Sequence, residues 1–407
     1  MLIRIPSSTL LLYHRWIGRA TVIHATLHFA LNVERWIETD QVATVFESSR
    51  IQVGITAWIA LCLIFITSIG FIRRKWFEAF YYPHVLFLVF VIGAMIHASR
   101  GPEFLAPGLA LWGLDRIIRF AFNFGKIKIT SVKQYPGQLT KIKFRGLRTY
   151  TPGQIAWIRF PGVSFFHWHP FTIASAPGQE EAVVAIRGIG GYTKRLHSLI
   201  ANSNASVESG TPEIKLRAEG AHGVGSVEWG AYPVTVLVAG GVGITPAISI
   251  ATYVIQRAAQ EKAKRSTQPW HVHLLWTVKE ETHLQWFEEE LKQLAAITAD
   301  RSVPATLDVT INITGHSSSI RNEKPLTDIS DNESGHSYYR YTGPGIVQQG
   351  RPDVDGWFTA IKNVRVGLDA AVDACGPRPL VTAVRKAAAK ASWKQGLFHV
   401  EEEIFER

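Results

Sequence analysis

One apolar stretch restricts the possible fold more than any other part of the sequence. Residues 81–99 read YYPHVLFLVFVIGAMIHAS, a stretch without Asp, Glu, Lys or Arg that is long enough to cross a bilayer. It nevertheless holds a histidine near each end, His84 and His97. Ionisable side chains inside a membrane are costly and usually have a function. The stretch therefore predicts a membrane-spanning helix that carries two chemically active imidazoles.

A second apolar stretch offers a matching pair of histidines, His14 and His28. They are 14 residues apart, which corresponds to a rise of about 21 Å along a helix. Their side chains differ in direction by about 40°, so both can point into the bundle. A single such histidine would be a polar residue satisfied between packed helices, but four at matched depths favour metal ligands. We interpret them as axial ligands of two stacked haems, His14 with His84 and His28 with His97, with His24 as an alternative to His28. Bis-histidine ligation leaves no open position on iron and suits electron transfer better than O₂ binding.

The spacing within the second pair requires an irregular helix. His84 and His97 are 13 residues apart, so an ideal helix would point them about 140° away from each other. A kink near Pro83 or a π-bulge near Gly93 would bring the two imidazoles to one face. The sequence predicts one of these two irregularities.

Four membrane spans are predicted in the first third of the chain. The fourth is the weakest, because Asp115, Arg116 and Arg119 interrupt it, and a helix lying at the membrane interface is its alternative. The predicted spans are 8–33, 51–71, 80–99 and 104–124. Basic residues follow the second and fourth spans, so the positive-inside rule places the C-terminal part in the cytosol.

Charge and cysteine content agree with this assignment. The net charge of +10 is typical of the cytoplasmic parts of membrane proteins, and we do not expect nucleic-acid binding. The two cysteines, Cys62 and Cys375, make a disulfide framework unlikely and fit a reducing compartment.

The remaining two thirds predict two domains after the membrane domain of residues 1–125. Short β-like runs broken by Gly and Pro predict a small antiparallel barrel over 126–230. Alternating apolar strands and helices then predict a doubly wound parallel sheet over 231–407. Residues 315–349 are polar and lack a periodic apolar face, so we expect a mobile insertion there.

Two glycine turns of the predicted parallel sheet are candidate phosphate-binding sites. AGGVGITP follows an apolar strand and opens a helix, where free amides and the helix dipole attract a pyrophosphate. Its alternative is an ordinary tight turn between strand and helix. CGP ends a later strand at what should be the same sheet edge. The candidate residues are Gly240, Gly241, Gly243, Thr245, Pro246, Cys375, Gly376 and Pro377.

Two loops of the predicted barrel are candidate flavin-binding segments. In HPFTIAS, Thr172 could hydrogen-bond a flavin ring edge and His169 could meet a phosphate. In GGYT, amides and a hydroxyl could meet a second phosphate. The candidate residues are His169, Pro170, Phe171, Thr172, Gly190, Gly191 and Thr193.

With these residues in place, the chain resembles the fungal ferric reductase family, related to the NADPH oxidases, from about Leu11 to its end. The histidine pairs match the family's haem ligands, and HPFTIAS, GGYT, AGGVGITP and CGPRPL match its flavin and nicotinamide motifs. The resemblance implies a ferredoxin-NADP reductase-like flavin and nucleotide module that binds FAD and NADPH, and a membrane domain that holds two b-type haems. It also implies nucleotide contacts at Lys279 and Arg351, and chemistry near Thr172 and Cys375.

The resemblance implies a function as well. The expected activity is electron transfer from cytosolic NADPH to ferric or cupric chelates outside, for metal uptake, most simply at the plasma membrane. Reduction of O₂ to superoxide is one alternative, and a haem-free chain without full reductase activity is another. The chain begins nearly at the first histidine helix, so we expect a truncation relative to the family. The family's terminal aromatic is not terminal here, and Phe405 is the candidate to cover the flavin.

Overall fold

The computed structural model describes residues 7–45, 47–122, 127–147, 149–164, 167–204, 214–223, 227–261, 269–315, 341–392 and 396–404. The chain divides into two compact units after Phe122. Each unit has its own fold.

The first unit is helical. Its helices are α1 (Ser7–Glu38), α2 (Val42–Val45), α3 (Ser49–Thr67), α4 (Gly70–Lys75), α5 (Phe77–His84), α6 (Phe87–His97) and α7 (Gly101–Phe122). Among the described residues, two segments are long and apolar enough to cross a membrane, namely α3 and the consecutive pair α5–α6. These are the second and third predicted spans. Helices α1 and α7 occupy the first and fourth, and the total of four spans stays a prediction.

The third predicted span is broken between α5 and α6. Pro83 lies in the last turn of α5, and the chain then tightens, with Val85 N donating to Tyr82 O (3.1 Å) and Leu86 N donating to Pro83 O (2.9 Å). These hydrogen bonds join residues three apart, as in a 3₁₀-helix, instead of four apart, as in an α-helix. They change the rotation about the helix axis between the residues before and after the turn. The expected irregularity near Pro83 is confirmed.

Gly93 has a packing role instead of forming a bulge. Its α-carbon lies against α3, where an added Cβ would be 2.8 Å from the Cβ of Ala57. Ala57, Ala60 and Gly93 are buried at this contact. Small residues let membrane helices approach closely, so α3 and α6 form a tight pair.

The second unit begins with six antiparallel strands. They are β1 (Lys128–Tyr135), β2 (Leu139–Arg145), β3 (Ile155–Arg159), β4 (His169–Thr172), β5 (Ala182–Arg187) and β6 (Arg217–His222), with helix α8 (Gly191–Asn204) between the last two. They form two three-stranded sheets, β1-β2-β5 and β4-β3-β6. Both sheets contribute to one core, which includes Phe144, Ile158 and Val184. This is the antiparallel part that the sequence predicts.

A six-stranded parallel sheet follows, in the order β10-β9-β8-β7-β11-β12. Its strands are β7 (Val234–Gly240), β8 (Trp270–Val278), β9 (Ala305–Ile313), β10 (Ile346–Gln349), β11 (Ala370–Gly376) and β12 (Phe398–Ile404). Its helices are α9 (Ile244–Glu261), α10 (Glu288–Ala299), α11 (Val354–Val364) and α12 (Arg378–Ala391). Helices α9 and α10 cover one face of the sheet, and α11 and α12 cover the other. The sequence order reverses beside β7, which creates the crevice where such sheets bind ligands.

The predicted insertion is only partly described. Residues 316–340 lie outside the described residues. The end of the predicted range, Ile346–Gln349, forms the edge strand β10, paired in parallel with β9. All four of its residues are exposed. A strand with no buried face needs no alternation of apolar and polar residues, and IVQQ shows none.

A buried ion pair joins the antiparallel strands to the helices of the parallel sheet. Lys141 on β2 donates to both carboxylate oxygens of Glu290 on α10, at 2.8 and 3.0 Å, and its side chain is 3% exposed. The ammonium also lies 4.4 Å from the ring centroid of Phe287. Burial lowers the pKa of Lys141, and the carboxylate of Glu290 opposes that shift. Glu290 is therefore the main group that favours the charged form of Lys141.

Lys141→Met should destabilise the second unit by about 2–3 kcal/mol, because it leaves Glu290 desolvated without its partner. The expected fall in melting temperature is about 5–10 °C, measured by differential scanning calorimetry of the purified full chain. Lys133→Met is the matched control, since its pair with Glu289 is exposed and 3.6 Å long. Equal melting temperatures for the two variants would contradict a stabilising role of the Lys141–Glu290 pair.

Candidate functional site

The carboxyl edge of the parallel sheet brings the two glycine turns together. A Cβ on Gly376 would lie 3.0 Å from the α-carbon of Gly240, and a Cβ on Gly243 would overlap the carbonyl oxygen of Cys375. Only glycine permits this approach of two backbones. The contact places the amides at the start of α9 beside the end of β11, where an anionic ligand can approach.

Buried side chains fix the shape of the first turn. Trp276 Nε1 donates to Gly241 O at 2.9 Å, and Gly241 adopts a left-handed φ of 58°. Thr245 is 3% exposed, and its hydroxyl donates to Val242 O at 3.1 Å. The hydroxyl of Thr245 therefore shapes the turn, and the backbone amides are the candidate groups for an anionic ligand.

Two exposed cations, Lys279 and Arg351, lie at the same sheet edge. Lys279 follows β8, where Gly315 N donates to its carbonyl at 2.9 Å. Arg351 follows β10, where Gly350 N donates to Ile313 O at 2.8 Å. Both residues thus follow strands at their carboxyl ends, and β9 lies between these two strands in the sheet.

The HPFT segment is a strand, and His169 at its start packs against an aromatic ring. Its imidazole lies 4.0 Å from the ring centroid of Tyr192, and the Tyr192 hydroxyl accepts a hydrogen bond from Phe160 N at 3.0 Å. Among the described residues, the buried Nε2 of His169 has no hydrogen-bond partner. Burial, and secondly His167, lowers the pKa of His169, so a neutral imidazole is favoured. A buried, unpaired ring nitrogen calls for a ligand group or water to satisfy it.

The GGYT segment opens α8. Ile189 N and Gly190 N each donate to Thr193 Oγ1 at 3.1 Å, so this hydroxyl forms the loop. Space around Gly191 is open, since a Cβ there would meet nothing within 4 Å. The free amides at the start of α8 are therefore accessible to an anion.

Two residues next to His169 were not among the predicted site residues. Tyr192 packs against its ring at an interplanar angle of 32°, and Arg159 lies 5.0 Å over the ring of Trp168. Arg159 is 8% exposed, and burial followed by the charge of Arg217 lowers its pKa. The sequence signal for Tyr192 was its place inside GGYT. Arg159 ends an apolar strand and had no motif to mark it.

The remaining predicted residues are divided between the two sheets. Thr172 is 8% exposed at the end of β4, and Cys375 is fully buried at the end of β11. A hydrogen bond from Ser249 Oγ on α9 to Ser175 O (2.7 Å) joins the HPFTIAS segment to the helices of the parallel sheet. Pro170 and Phe171 lie on β4. Pro246 lies in the first turn of α9, and Pro377 immediately precedes α12. Phe405 lies outside the described residues.

In the helical unit, the four predicted histidines form two pairs. The ring centroids of His14 and His84 are 6.1 Å apart, and those of His28 and His97 are 6.2 Å apart. Two metal–nitrogen bonds of about 2 Å plus two ring half-widths of about 1 Å place imidazole centroids about 6 Å apart across one metal ion. Both pairs have that separation. Nδ1 of His24 instead lies 2.7 Å from Ala20 O in its own helix.

Family comparisons cover most of the chain. The model described as "Ferric reductase like transmembrane component" matches residues 1–95, "FAD-binding domain" matches 124–226, and "Ferric reductase NAD binding domain" matches 232–389. The three matches follow one another in the order of the structural units.

Individual relatives agree with these matches. Ferric reduction oxidase 3, mitochondrial, of Arabidopsis thaliana is 31% identical over 58% of this chain and 34% of its own length. NADPH oxidase 1 of Mus musculus is 27% identical over 83% of this chain and 63% of its own length. The chain thus spans about a third of the first relative and under two thirds of the second. A solved ferredoxin NADP+ reductase from Neisseria gonorrhoeae with bound FAD and NADP is 12% identical, covers 68% of this chain and 98% of that chain, and has a TM-score of 0.42.

On the three family matches, the chain belongs to the ferric reductase family and has its transmembrane, FAD-binding and NAD-binding domains.

Proposed function

We propose that this membrane protein transfers electrons from cytosolic NADPH, through FAD and two b-type haems, to ferric or cupric chelates on the other side of the membrane. The observation that carries the proposal is the presence of two imidazole pairs, whose ring centroids are 6.1 and 6.2 Å apart. The same chain also has FAD-binding and NAD-binding domains. When bound, FAD accepts hydride and releases electrons singly, and the haems carry single electrons.

The nucleotide would lie across the carboxyl edge of the parallel sheet. The amides of the turn at Gly241 and Gly243 would bind its pyrophosphate, because the close backbone contact with Cys375 and Gly376 presents them at the start of α9. Lys279 and Arg351 would pair with a 2′-phosphate and thereby favour NADPH over NADH. Cys375 would contact the nicotinamide.

The flavin would lie on the antiparallel strands. His169 would use its unpaired Nε2 to hydrogen-bond the flavin diphosphate, and the α8 amides after Gly190 and Gly191 would bind the same group. The hydroxyl of Thr172, at the end of β4, would hydrogen-bond the isoalloxazine edge. Pro170 and Phe171 lie on the same strand and would complete the binding surface.

The helical unit would hold the two haems. The His14–His84 pair and the His28–His97 pair would each supply two imidazole nitrogens to one iron. Such ligation would favour electron transfer over direct binding of O₂. The electrons would leave at the His28–His97 end.

Two kinds of electron acceptor, metal chelates and O₂, are candidates. Metal reduction is favoured by the ferric reductase family matches and by the plant relative's name. Reduction of O₂ to superoxide is the second candidate, because the mouse relative named NADPH oxidase 1 matches 83% of this chain.

The deciding experiment uses purified full chain reconstituted in vesicles with NADPH on the cytosolic side. We expect b-type bands in the reduced-minus-oxidised spectrum and reduction of a ferric chelate without oxygen. Superoxide formation in air with no anaerobic chelate reduction would support the second candidate. Absence of b-type bands would reject both and favour a haem-free chain.

A further inference from the structure

Helix α3 has no histidine, yet it contacts one imidazole of each pair. Near its start, the carbonyl oxygen of Arg50 lies 3.0 Å from Nδ1 of His97. At its C-terminal cap, the hydroxyl oxygen of Ser68 lies 3.4 Å from Nδ1 of His84. The two contacts are separated by the length of the helix.

The contact with His97 depends on a glycine. An added Cβ at Gly54 would overlap the His97 ring, lying 2.6 Å from Cε1 and 2.8 Å from Cγ. Gly54 is one helical turn after Arg50, so its missing side chain leaves a slot beside the Arg50 carbonyl. The imidazole occupies this slot, which is why its Nδ1 reaches a carbonyl oxygen of a neighbouring helix.

Both contacts select the same tautomer. A carbonyl oxygen only accepts, so Nδ1 of His97 must carry the proton. The Ser68 hydroxyl donates its own proton to Ile64 O at 2.6 Å, and its oxygen is left to accept from Nδ1 of His84. In both rings Nε2 then has a free lone pair, as a metal ligand requires.

We propose that α3 is the orienting helix of both metal-binding pairs: Gly54 and the Arg50 carbonyl set the ring of His97, and Ser68 sets the ring of His84. The inference rests on the proposed function, since it gives these residues a role toward the haems. They are positioning residues that act through the ligand imidazoles. A hydrogen bond at the outer nitrogen fixes ring orientation and raises ligand basicity, which changes the spectrum and potential of the bound iron.

The test measures the low-spin ferric electron paramagnetic resonance signals of the purified full chain, because these signals depend on the angle between the two imidazole planes. His97→Ala and His84→Ala assign each signal to one pair. Gly54→Ala should shift or remove the signal of the His28–His97 pair and leave the other unchanged. Ser68→Ala should do the reverse, and Ser68→Thr, which keeps an acceptor oxygen, should restore it. Gly113→Ala is the control, since its added Cβ meets nothing within 4 Å.

The outcomes separate the two proposals. Parent protein without haem signals would overturn the proposed function and this inference with it. Parent protein with both signals, but with variants that change neither or both, would overturn the role of α3 alone. Retention of the signal of the other pair shows that the helical unit of a variant has folded, and Ser68→Ala tests the idea even if Gly54→Ala fails to accumulate.

Discussion

His97→Ala is expected to bind about half as much haem as the parent chain, because each proposed haem needs two axial imidazoles and only one pair is lost. The His14–His84 pair stays complete, so one b-type signal should remain. Reduction of an external acceptor should fall below detection, since the second carrier of the path is missing. Haem is measured as pyridine haemochrome per FAD, and reduction is measured in vesicles with NADPH on the flavin side.

The matched control for this variant is His24→Ala. His24 also lies in α1, one turn before His28, but its Nδ1 lies 2.7 Å from Ala20 O in its own helix. His24→Ala should keep the full haem content. Full haem in His97→Ala, or half in His24→Ala, would show that the ligands are assigned wrongly.

Gly243→Ala should weaken binding of NADP+ by about ten- to a hundredfold while FAD content is unchanged. A methyl group there overlaps the carbonyl oxygen of Cys375, so the turn must move away from the end of β11. Overpacking of this kind costs about 1–3 kcal/mol, which corresponds to that range of affinity. Titration of NADP+ into the purified chain by isothermal calorimetry measures the loss.

Gly162→Ala serves as the control for the glycine turn. Its added Cβ would be 3.6 Å from Leu199 Cδ1, an ordinary contact, and its backbone is not left-handed. NADP+ affinity should equal that of the parent. If Gly243→Ala also binds NADP+ normally, the turn is a plain strand-to-helix connection and the nucleotide binds elsewhere.

Periodicity and motif spacing predicted most of the architecture. The apolar stretches at 51–71 and 80–99 correspond to α3 and to α5–α6, and the switch to short alternating runs marked the antiparallel strands. The apolar strand before AGGVGITP became β7, with the glycines at the start of α9. These features follow from local propensity and burial, which a sequence carries directly.

Long-range contacts could not be predicted in the same way. HPFT was expected to be a loop, but His169–Thr172 pairs with β3 as a strand, although a proline lies within it. The ring contact between His169 and Tyr192 joins residues from β4 and α8. Residues 346–349 gave no strand pattern because their side chains are exposed, and only pairing with β9 makes them a strand.

The sequence by itself narrowed the candidate metal ligands to three histidines on one apolar segment, His14, His24 and His28, and two on another, His84 and His97. It also required an irregular helix between His84 and His97. The sequence also predicted the partners, but only the tertiary structure decided the distance between them, 6.1 Å for His14 and His84 and 6.2 Å for His28 and His97. The tightened turn after Pro83 changes the phase of the helix, so that His84 faces His14 and His97 faces His28. The slot at Gly54 depends on α3 packing against α6. Helical spacing fixes angles along one segment, whereas the separation of two imidazoles depends on how separate segments pack.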